Sequence, residues 1–184
     1  MGVKGRKGQE ECFGEKLKMI KGAMMEINIG NPKHLSTDCG PVINYDARLK
    51  LQSYIDKSRK RNQIIGEIQC DLSTGYYVSP TIIHLKSIDE INEEFFGPIL
   101  HVISYKSNEL ETMIDRLNDK GFGLTFGIHS RIDKQVEEIT SRVNAGNIYV
   151  NRNQIGAIVG SQPFGGEGLS GTGPKAGGPS SLHG

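Results

Sequence analysis

Residues 99–150 alternate between strand-like and helix-like hydrophobic patterns, and this alternation restricts the possible folds more than any other feature of the chain. Two segments with apolar residues at helical spacing separate three strand-like runs, ILHVISY, LTFGIH and NIYV. Short connections from strand to helix to strand form right-handed crossovers, which place the strands in parallel. The sequence therefore predicts an α/β fold with a βαβαβ core, in which helices flank a parallel sheet.

The two helices of this region have recognisable ends. Asn108 is predicted to cap the first, with Glu111 at the capping-box position, and Gly121 to end it. Ser130 is predicted to cap the second helix, and Gly146 to end it. The residues expected to face the sheet are Leu110, Ile114 and Leu117 in the first helix and Ile132, Val136, Ile139 and Val143 in the second.

The N-terminal half predicts two helices and an antiparallel strand pair. An apolar stripe from Phe13 to Ile27 indicates the first helix, and the second is expected over residues 45–61. The turn DLSTG lies between the runs QIIGEIQC and YYVSPTIIHL, which is typical of two antiparallel strands. Because Pro80 interrupts the second run, we place that strand at a sheet edge or at a bend. The inner face of the second helix is expected to contain Ala47, Leu51, Tyr54 and Ile55.

Composition and charge indicate a soluble protein without an obvious macromolecular partner. The 184 residues are 36% hydrophobic and carry a formal net charge of +1, so nothing favours binding to nucleic acid or to an anionic membrane. No apolar run reaches the length of a membrane span, and the N-terminus lacks the apolar core of a signal peptide. We therefore expect a cytoplasmic protein.

Neither the cysteines nor the histidines form a metal-binding pattern. Cys12, Cys39 and Cys70 are widely spaced and include no C-x-x-C pair. The histidines are equally scattered, at positions 34, 84, 101, 129 and 183. The spacing predicts reduced thiols and no metal site.

The Gly-rich stretch FGGEGLSGTGPKAGG has a spacing close to that of a nucleotide-binding loop. It departs from G-x-x-x-x-G-K-[ST] because Pro174 precedes Lys175 and Ala176 replaces the hydroxyl residue that would bind Mg²⁺. The following Gly-Gly-Pro also disfavours the helix that such a loop requires. We therefore do not expect triphosphate binding.

Two other interpretations of the glycines stay open. Ten of the 24 glycines lie between Gly156 and Gly184, which suits either a flexible tail or a backbone that approaches a ligand closely. Ligands of parallel sheets bind beyond the carboxyl ends of the strands, and the third strand leads directly into NRNQIGAIVGSQPFGGEG. The side chains available for burial at Ile155, Ile158, Val159 and Phe164 favour the ligand-binding interpretation.

Four motifs resemble those of aldehyde dehydrogenases and follow in the right order. The family's E-x-F-G-P motif is similar to EFFGPIL at residues 94–100, and two other motifs are similar to TDCGPVI at residues 37–43 and PFGG at residues 163–166. The longest match is NIYVNRNQIGAIVGSQPFGGEGLSGTGPKAGGP, which resembles the pyrroline-5-carboxylate (glutamate semialdehyde) dehydrogenase module of bifunctional proline utilization A enzymes. The resemblance covers residues 9–179 and implies the aldehyde dehydrogenase catalytic-domain fold.

The resemblance implies roles for five residues. Glu94 would accept hydrogen bonds from the nicotinamide ribose hydroxyls of NAD, and Phe96 would lie against the ribose and nicotinamide. Gly156 and Ala157 would bind the α-carboxylate of the aldehyde through backbone N–H groups, and Phe164 would pack on its aliphatic chain. Without the motif, Glu94 would be a solvated carboxylate of the charged run DEINEE, and Phe96 a core aromatic.

The implied reaction oxidises L-glutamate γ-semialdehyde to glutamate with NAD, in proline catabolism. It needs a cysteine nucleophile, an oxyanion site with an Asn and a backbone N–H, and a Glu general base. The family's nucleophile belongs to a G-Q-x-C segment upstream of KGAM, here residues 21–24, and would precede Met1. Cys12 has the wrong spacing, in GQEEC, and Cys39 occupies a variable position of the TDCGP turn. We therefore expect no catalytic residue here, a longer parent protein, and no activity of this chain alone.

The expected organisation has three parts. Residues 1–8 would be a disordered or expression-derived start, residues 9–166 a partial aldehyde dehydrogenase catalytic domain, and residues 167–184 a Gly-rich tail. The resemblance also implies a nucleotide-binding domain outside this chain, a homo-oligomeric parent, and FAD if that parent carries a proline dehydrogenase half. Two alternatives remain: an isolated structural or oligomerisation domain without activity, and an aldehyde dehydrogenase of other substrate specificity.

Overall fold

The computed structural model describes residues 9–70, 75–154, 162–171 and 175–176. The helices and strands in these ranges form two units within Arg6–Ser104 and Tyr105–Gly184, which we call the N-terminal and the C-terminal unit. Within the described ranges, no helix combines the length and the apolar character needed to cross a membrane.

A three-stranded sheet forms the centre of the N-terminal unit. Its strands are β1 (Ile64–Glu67), β2 (Thr81–Leu85) and β3 (Ile99–Ile103), in the order β1-β2-β3. The β1–β2 pair is antiparallel, which confirms the predicted strand pair, and β3 runs parallel to β2. Because β2 is central, the sheet-edge alternative predicted for this strand is wrong. Pro80 lies immediately before the strand, where its missing N–H removes no ladder bond and its carbonyl accepts from the Ile68 N–H at 3.0 Å.

Two helices cover the two faces of this sheet. Apolar residues of α1 (Gln9–Met25), among them Met24, pack with Ile82 and Val102. The other helix, α2 (Tyr45–Lys60), buries Leu51 and Ile55, and their cluster includes Ile99. Since Ile99 and Val102 are three residues apart on β3, they face opposite sides of the sheet. The helical stripes predicted from the sequence are therefore the faces that bury against the sheet.

The C-terminal unit contains the second predicted crossover. Strand β5 (Thr125–Ile128) leads through α4 (Asp133–Arg142) to the parallel strand β6 (Asn147–Val150). A preceding helix, α3 (Leu110–Asp119), and a short antiparallel pair of β4 (Phe122–Gly123) and β7 (Glu167–Gly168) complete the unit. One cluster of its buried side chains consists of Ile114, Ile128, Ile139 and Val143.

The strand pairing differs from the single three-stranded parallel sheet expected over residues 99–150. In the described ladders β3 pairs with β2 and β5 pairs with β6, so the parallel pairs belong to separate sheets. The prediction assumed that strands joined by one helix are neighbours, but β3 pairs instead with a strand that precedes it in the chain. The α/β class, with parallel strands and flanking helices, is as predicted.

The helix ends also differ in detail. The part of the chain that the structure describes contains two short 3₁₀ helices, Ile88–Glu90 and Ser107–Glu109. The second includes Asn108, and α3 begins after it. The Asn108 cap is therefore wrong: the Glu109 carboxylate accepts from the Lys106 N–H at 2.8 Å. Ser130 lies two residues before the cap position Ile132 and accepts from its N–H at 3.2 Å, so it shapes the turn before α4.

Two further predictions concern Gly121 and Ile132. Gly121 follows α3 with a φ of 74° and its N–H bonds the Asn118 carbonyl at 2.9 Å, which confirms it as the residue that ends the helix. The prediction that Ile132 faces inward is wrong, because its side chain is 36% exposed at the start of α4.

Candidate functional site

The predicted cofactor residues, Glu94 and Phe96, lie on the loop before β3, which we call the 94–98 loop. Both side chains are exposed, and Phe96 is 78% exposed, so its interpretation as a core aromatic is wrong. The residue between them, Phe95, packs instead against the buried cluster of Leu51 and Ile55. The inward-facing ring of Phe95 thus anchors the loop, while the side chains of Glu94 and Phe96 face solvent.

Backbone contacts hold the 94–98 loop on both sides of Phe96. The Pro98 carbonyl accepts from the Thr81 N–H at 2.9 Å, and the Gly97 N–H donates to the Phe95 carbonyl at 3.1 Å. A Cβ at Gly97 would lie 2.5 Å from Cδ1 of Leu51, so glycine permits the close approach of the loop to α2. The close packing of this loop therefore explains the F-G-P sequence in structural terms, independently of its resemblance to the family motif.

An aromatic contact beneath the loop was not predicted. The Phe95 ring stacks on Tyr54 of α2 with centroids 4.0 Å apart, and the Tyr54 hydroxyl lies 2.8 Å from Nε2 of His101 on β3. Burial raises the pKa of Tyr54 and lowers the pKa of His101. Both groups are therefore neutral near pH 7, and their hydrogen bond joins uncharged partners.

Glu93, which precedes the 94–98 loop, and Glu94, which begins it, differ in their contacts. Glu93 forms an ion pair with Lys50. The Glu94 carboxylate has no hydrogen-bond or ion-pair partner among the residues that the structure describes. A free carboxylate can accept hydrogen bonds from a vicinal diol, and the adjacent exposed ring can cover a flat group, with a gain of about 25 cal/mol per Å² buried. The predicted role of these two side chains in binding the ribose and nicotinamide of NAD stays a prediction.

The predicted substrate residues lie in the C-terminal unit. Gly156 and Ala157 fall outside the described residues, and Phe164 is half-buried. The chain enters this segment through Asn151, which has a φ of 55°. The Asn151 side-chain amide accepts from the Ser130 N–H at 3.0 Å and donates to the Ser130 carbonyl at 2.9 Å. The chain beyond β6 is therefore held to the turn that follows β5.

The other end of the segment is held by Asn147 of β6. Its side-chain amide donates to the Pro163 carbonyl at 3.0 Å and accepts from the Gly165 N–H at 3.2 Å. Phe164 itself exchanges two backbone hydrogen bonds with Ala176, each 3.0 Å long. The PFGG motif thus lies on a fixed backbone, and the side chain of its Phe164 keeps part of its surface in solvent.

Gly146 serves this packing rather than the end of α4, which is reached at Arg142. A Cβ at Gly146 would lie 1.7 Å from the Gly165 carbonyl oxygen, so only glycine allows the two backbones to meet. The ammonium group of Lys175 donates to the Gly146 carbonyl. Lys175, the lysine of the stretch that resembles a P-loop, therefore binds a backbone carbonyl of the protein itself.

The environment of Cys39 does not activate its thiol. Cys39 is half-buried, and its pKa is raised first by burial and then by the nearby Cys70 and Asp38. A raised pKa disfavours the thiolate, which is the nucleophilic form. Cys12 lies in α1, at a position where only the backbone is described. Across the described ranges, no three His, Cys, Asp or Glu side chains come together as a metal site would require.

A comparison against models of protein families agrees with the family that the motifs indicated. The model of the aldehyde dehydrogenase family matches residues 9–184. The chain belongs to the aldehyde dehydrogenase family. A relative within this family, the bifunctional protein PutA of Klebsiella aerogenes, is 46% identical over 182 residues, which cover 95% of this chain and 14% of the relative.

Solved structures of aldehyde dehydrogenases confirm the fold. Proline utilization A of Bradyrhizobium japonicum superposes with a TM-score of 0.88 at 45% identity, over 94% of this chain and 18% of the other. The 1-pyrroline-5-carboxylate dehydrogenase of Thermus, solved with bound NAD, superposes with a TM-score of 0.77 at 34% identity, over 88% of this chain and 31% of the other. The chain therefore spans less than a third of the length of these two proteins.

The sequence missed several residues that position the candidate site: Tyr54, His101, Asn147 and Asn151. A signal existed for Asn151, since asparagine directly after a strand tolerates a positive φ better than most residues. Tyr54 and His101 are 47 positions apart, and no local pattern joins them.

Proposed function

We propose that this chain is part of an NAD-dependent L-glutamate γ-semialdehyde (1-pyrroline-5-carboxylate) dehydrogenase that acts in proline catabolism. The observation that carries the proposal is the fixed 94–98 loop, which exposes an aromatic ring at Phe96 and, at Glu94, a carboxylate without a partner among the described residues. Membership in the aldehyde dehydrogenase family and similarity to a 1-pyrroline-5-carboxylate dehydrogenase with bound NAD support it.

In this proposal, the 94–98 loop binds NAD. Glu94 accepts hydrogen bonds from the two ribose hydroxyls, because a carboxylate offers two acceptor oxygens and no competing donor. Phe96 covers one face of the ribose and nicotinamide, and excludes water from it. NAD, when bound, accepts the hydride that leaves the aldehyde carbon. FAD enters only if the same polypeptide carries a proline dehydrogenase half.

The segment between β6 and the PFGG motif binds the aldehyde. Backbone N–H groups of Gly156 and Ala157 hold the α-carboxylate, and Phe164 packs on the methylene chain. Support comes from the firm attachment of the flanking residues, through Asn151 on one side and Asn147 on the other. A loop fixed at both ends loses less conformational entropy when it orders around a ligand.

The nucleophile and the general base come, in this proposal, from residues outside the 184 of this chain. The raised pKa of Cys39 and the spacing around Cys12 argue against either thiol as a substitute. We therefore expect the chain alone to produce no NADH from glutamate semialdehyde and NAD.

A chimera tests the proposal. The chain replaces the matching 182 residues of Klebsiella aerogenes PutA, whose 46% identity favours correct folding. The chimera should reduce NAD with glutamate semialdehyde, and much faster than with pentanal, which lacks the α-carboxylate. A chimera that melts like the parent protein but oxidises neither aldehyde would contradict the proposed function. Equal rates with both aldehydes would instead favour another substrate.

A further inference from the structure

Three aromatic side chains from separate elements meet beneath the 94–98 loop: Tyr54 of α2, Phe95 of the loop and His101 of β3. Phe95 stacks on Tyr54 at 4.0 Å, with an angle of 22° between the rings. The ring of His101 lies 5.6 Å from Tyr54 and 5.7 Å from Phe95. Phe95 therefore contacts both partners, while its two neighbours in sequence face solvent.

The Tyr54–His101 hydrogen bond determines the geometry of this cluster. A half-buried hydroxyl and a half-buried imidazole cost free energy unless they satisfy each other, and their 2.8 Å separation does so. The bond links α2 to β3, and β3 is the strand into which the loop leads. Tyr54 is therefore held at one rotation angle, and its ring face defines where Phe95 can stack.

We propose that Tyr54 and His101 are positioning residues of the cofactor site, which hold Phe95 and thereby direct Glu94 and Phe96 outward. Neither residue faces the ligand itself. The inference rests on the proposed function in one respect only, namely that NAD is what the loop binds. The mechanical part, in which the hydrogen bond orders the loop, does not depend on the ligand.

The charged neighbourhood does not offer His101 an alternative partner. The Tyr54 hydroxyl also hydrogen-bonds the side chain of Ser58, and Glu90, Glu93 and Arg61 act on it electrostatically. The other ring that faces His101 is Phe95. Glu93 is already paired with Lys50. Tyr54→Phe therefore leaves the His101 imidazole without this hydrogen bond, whereas His101→Leu leaves the Tyr54 hydroxyl with Ser58 of its own helix and without its link to β3.

The first experiment uses the 184-residue chain and needs no cofactor. Amide hydrogen exchange at Gly97, whose N–H bonds the Phe95 carbonyl, reports opening of the loop. Tyr54→Phe and His101→Leu should each raise the exchange rate at Gly97 about fivefold, the factor that corresponds to one lost hydrogen bond. His101→Gln, which keeps a hydrogen-bonding group, should restore most of the protection.

Matched controls separate this effect from general destabilisation. Tyr45→Phe removes the hydroxyl of an exposed tyrosine in the same helix, whose ring lies near Tyr76. His84→Leu changes the histidine of the neighbouring strand, which contacts Phe13. Both controls should leave exchange at Gly97 unchanged.

The second experiment uses the PutA chimera. Tyr54→Phe should raise the KM for NAD about fivefold and leave kcat at saturating NAD within about twofold. Unchanged exchange at Gly97 in Tyr54→Phe, or an equal increase in Tyr45→Phe, would overturn the positioning role. A chimera that melts like the parent protein but is inactive would refute the proposed function instead, and exchange in the isolated chain would still decide whether the hydrogen bond orders the loop.

Discussion

Replacement of Gly146 by alanine should detach the PFGG motif from β6. A Cβ at this position would lie 1.7 Å from the Gly165 carbonyl oxygen and 2.9 Å from the Cα of Gly166. Carbon–oxygen contacts begin near about 3.3 Å, so the two backbones would have to separate by roughly 1.6 Å. Because the obstructing atoms are backbone atoms, no side-chain rotation can relieve the overlap.

The cost of Gly146→Ala follows from the bonds that this separation breaks. Asn147 loses its hydrogen bonds to Pro163 and Gly165, which now measure 3.0 and 3.2 Å, and Lys175 loses the Gly146 carbonyl. At about 1 kcal/mol for each net hydrogen bond, the free energy of unfolding should fall by about 2–3 kcal/mol.

Urea unfolding and amide exchange measure this change in the 184-residue chain. The midpoint should fall and the Gly165 amide should lose protection in Gly146→Ala. The control is Gly22→Ala in α1, where a Cβ has no atom within 4 Å and should stabilise the helix by up to about 1 kcal/mol. If Gly146→Ala unfolds at the same urea concentration as the unchanged chain, with Gly165 still protected, the close approach inferred here does not exist.

Three further substitutions have defined outcomes. Burial lowers the pKa of His101 below its ordinary 6.5, so the unfolded chain binds this proton more readily than the folded chain does. The contribution of neutral His101 to stability is complete above pH 6.5 and is lost as the pH falls below it. His101→Gln should therefore reduce the fall in the urea midpoint between about pH 7.5 and 5.5. Asn151→Ala should cost about 3 kcal/mol, because it removes two bonds to Ser130 and leaves alanine at a φ of 55°, whereas Asn151→Gly should cost about 1 kcal/mol less in the same unfolding assay. Arg142→Ala should cost under about 1 kcal/mol, since its two acidic partners are 65% and 62% exposed, and the difference should disappear in 1 M salt.

The sequence predicted those elements whose identity depends on local periodicity. The run NIYV is strand β6 residue for residue, and the apolar stripes of α1 and α2 mark the faces that bury against the sheet. The predicted pairing of β3 was wrong because strand pairing depends on distant parts of the chain, and β3 pairs with β2. Asn108 was wrong as a helix cap because the Glu109 side chain bonds the Lys106 N–H and a short 3₁₀ turn precedes α3.

For the candidate site, the motif located the loops but not what holds them. The exposure of Phe96 follows from the inward packing of Phe95, which the letters EFFGP do not specify. The support that Asn147 gives to the PFGG motif depends on side-chain contacts between residues 16 and 18 positions apart. The ligand roles of Glu94, Phe96, Gly156, Ala157 and Phe164 stay predictions.

The central claim is that two loops of this chain serve two different ligands, and a pair of KM values in the PutA chimera tests it most directly. Phe96→Ala should raise the KM for NAD by about tenfold or more, from lost apolar burial, and leave the KM for glutamate semialdehyde unchanged. Phe164→Ala should do the reverse. If both substitutions raise the same KM, or neither raises any while the chimera stays active, the assignment of the two loops is wrong.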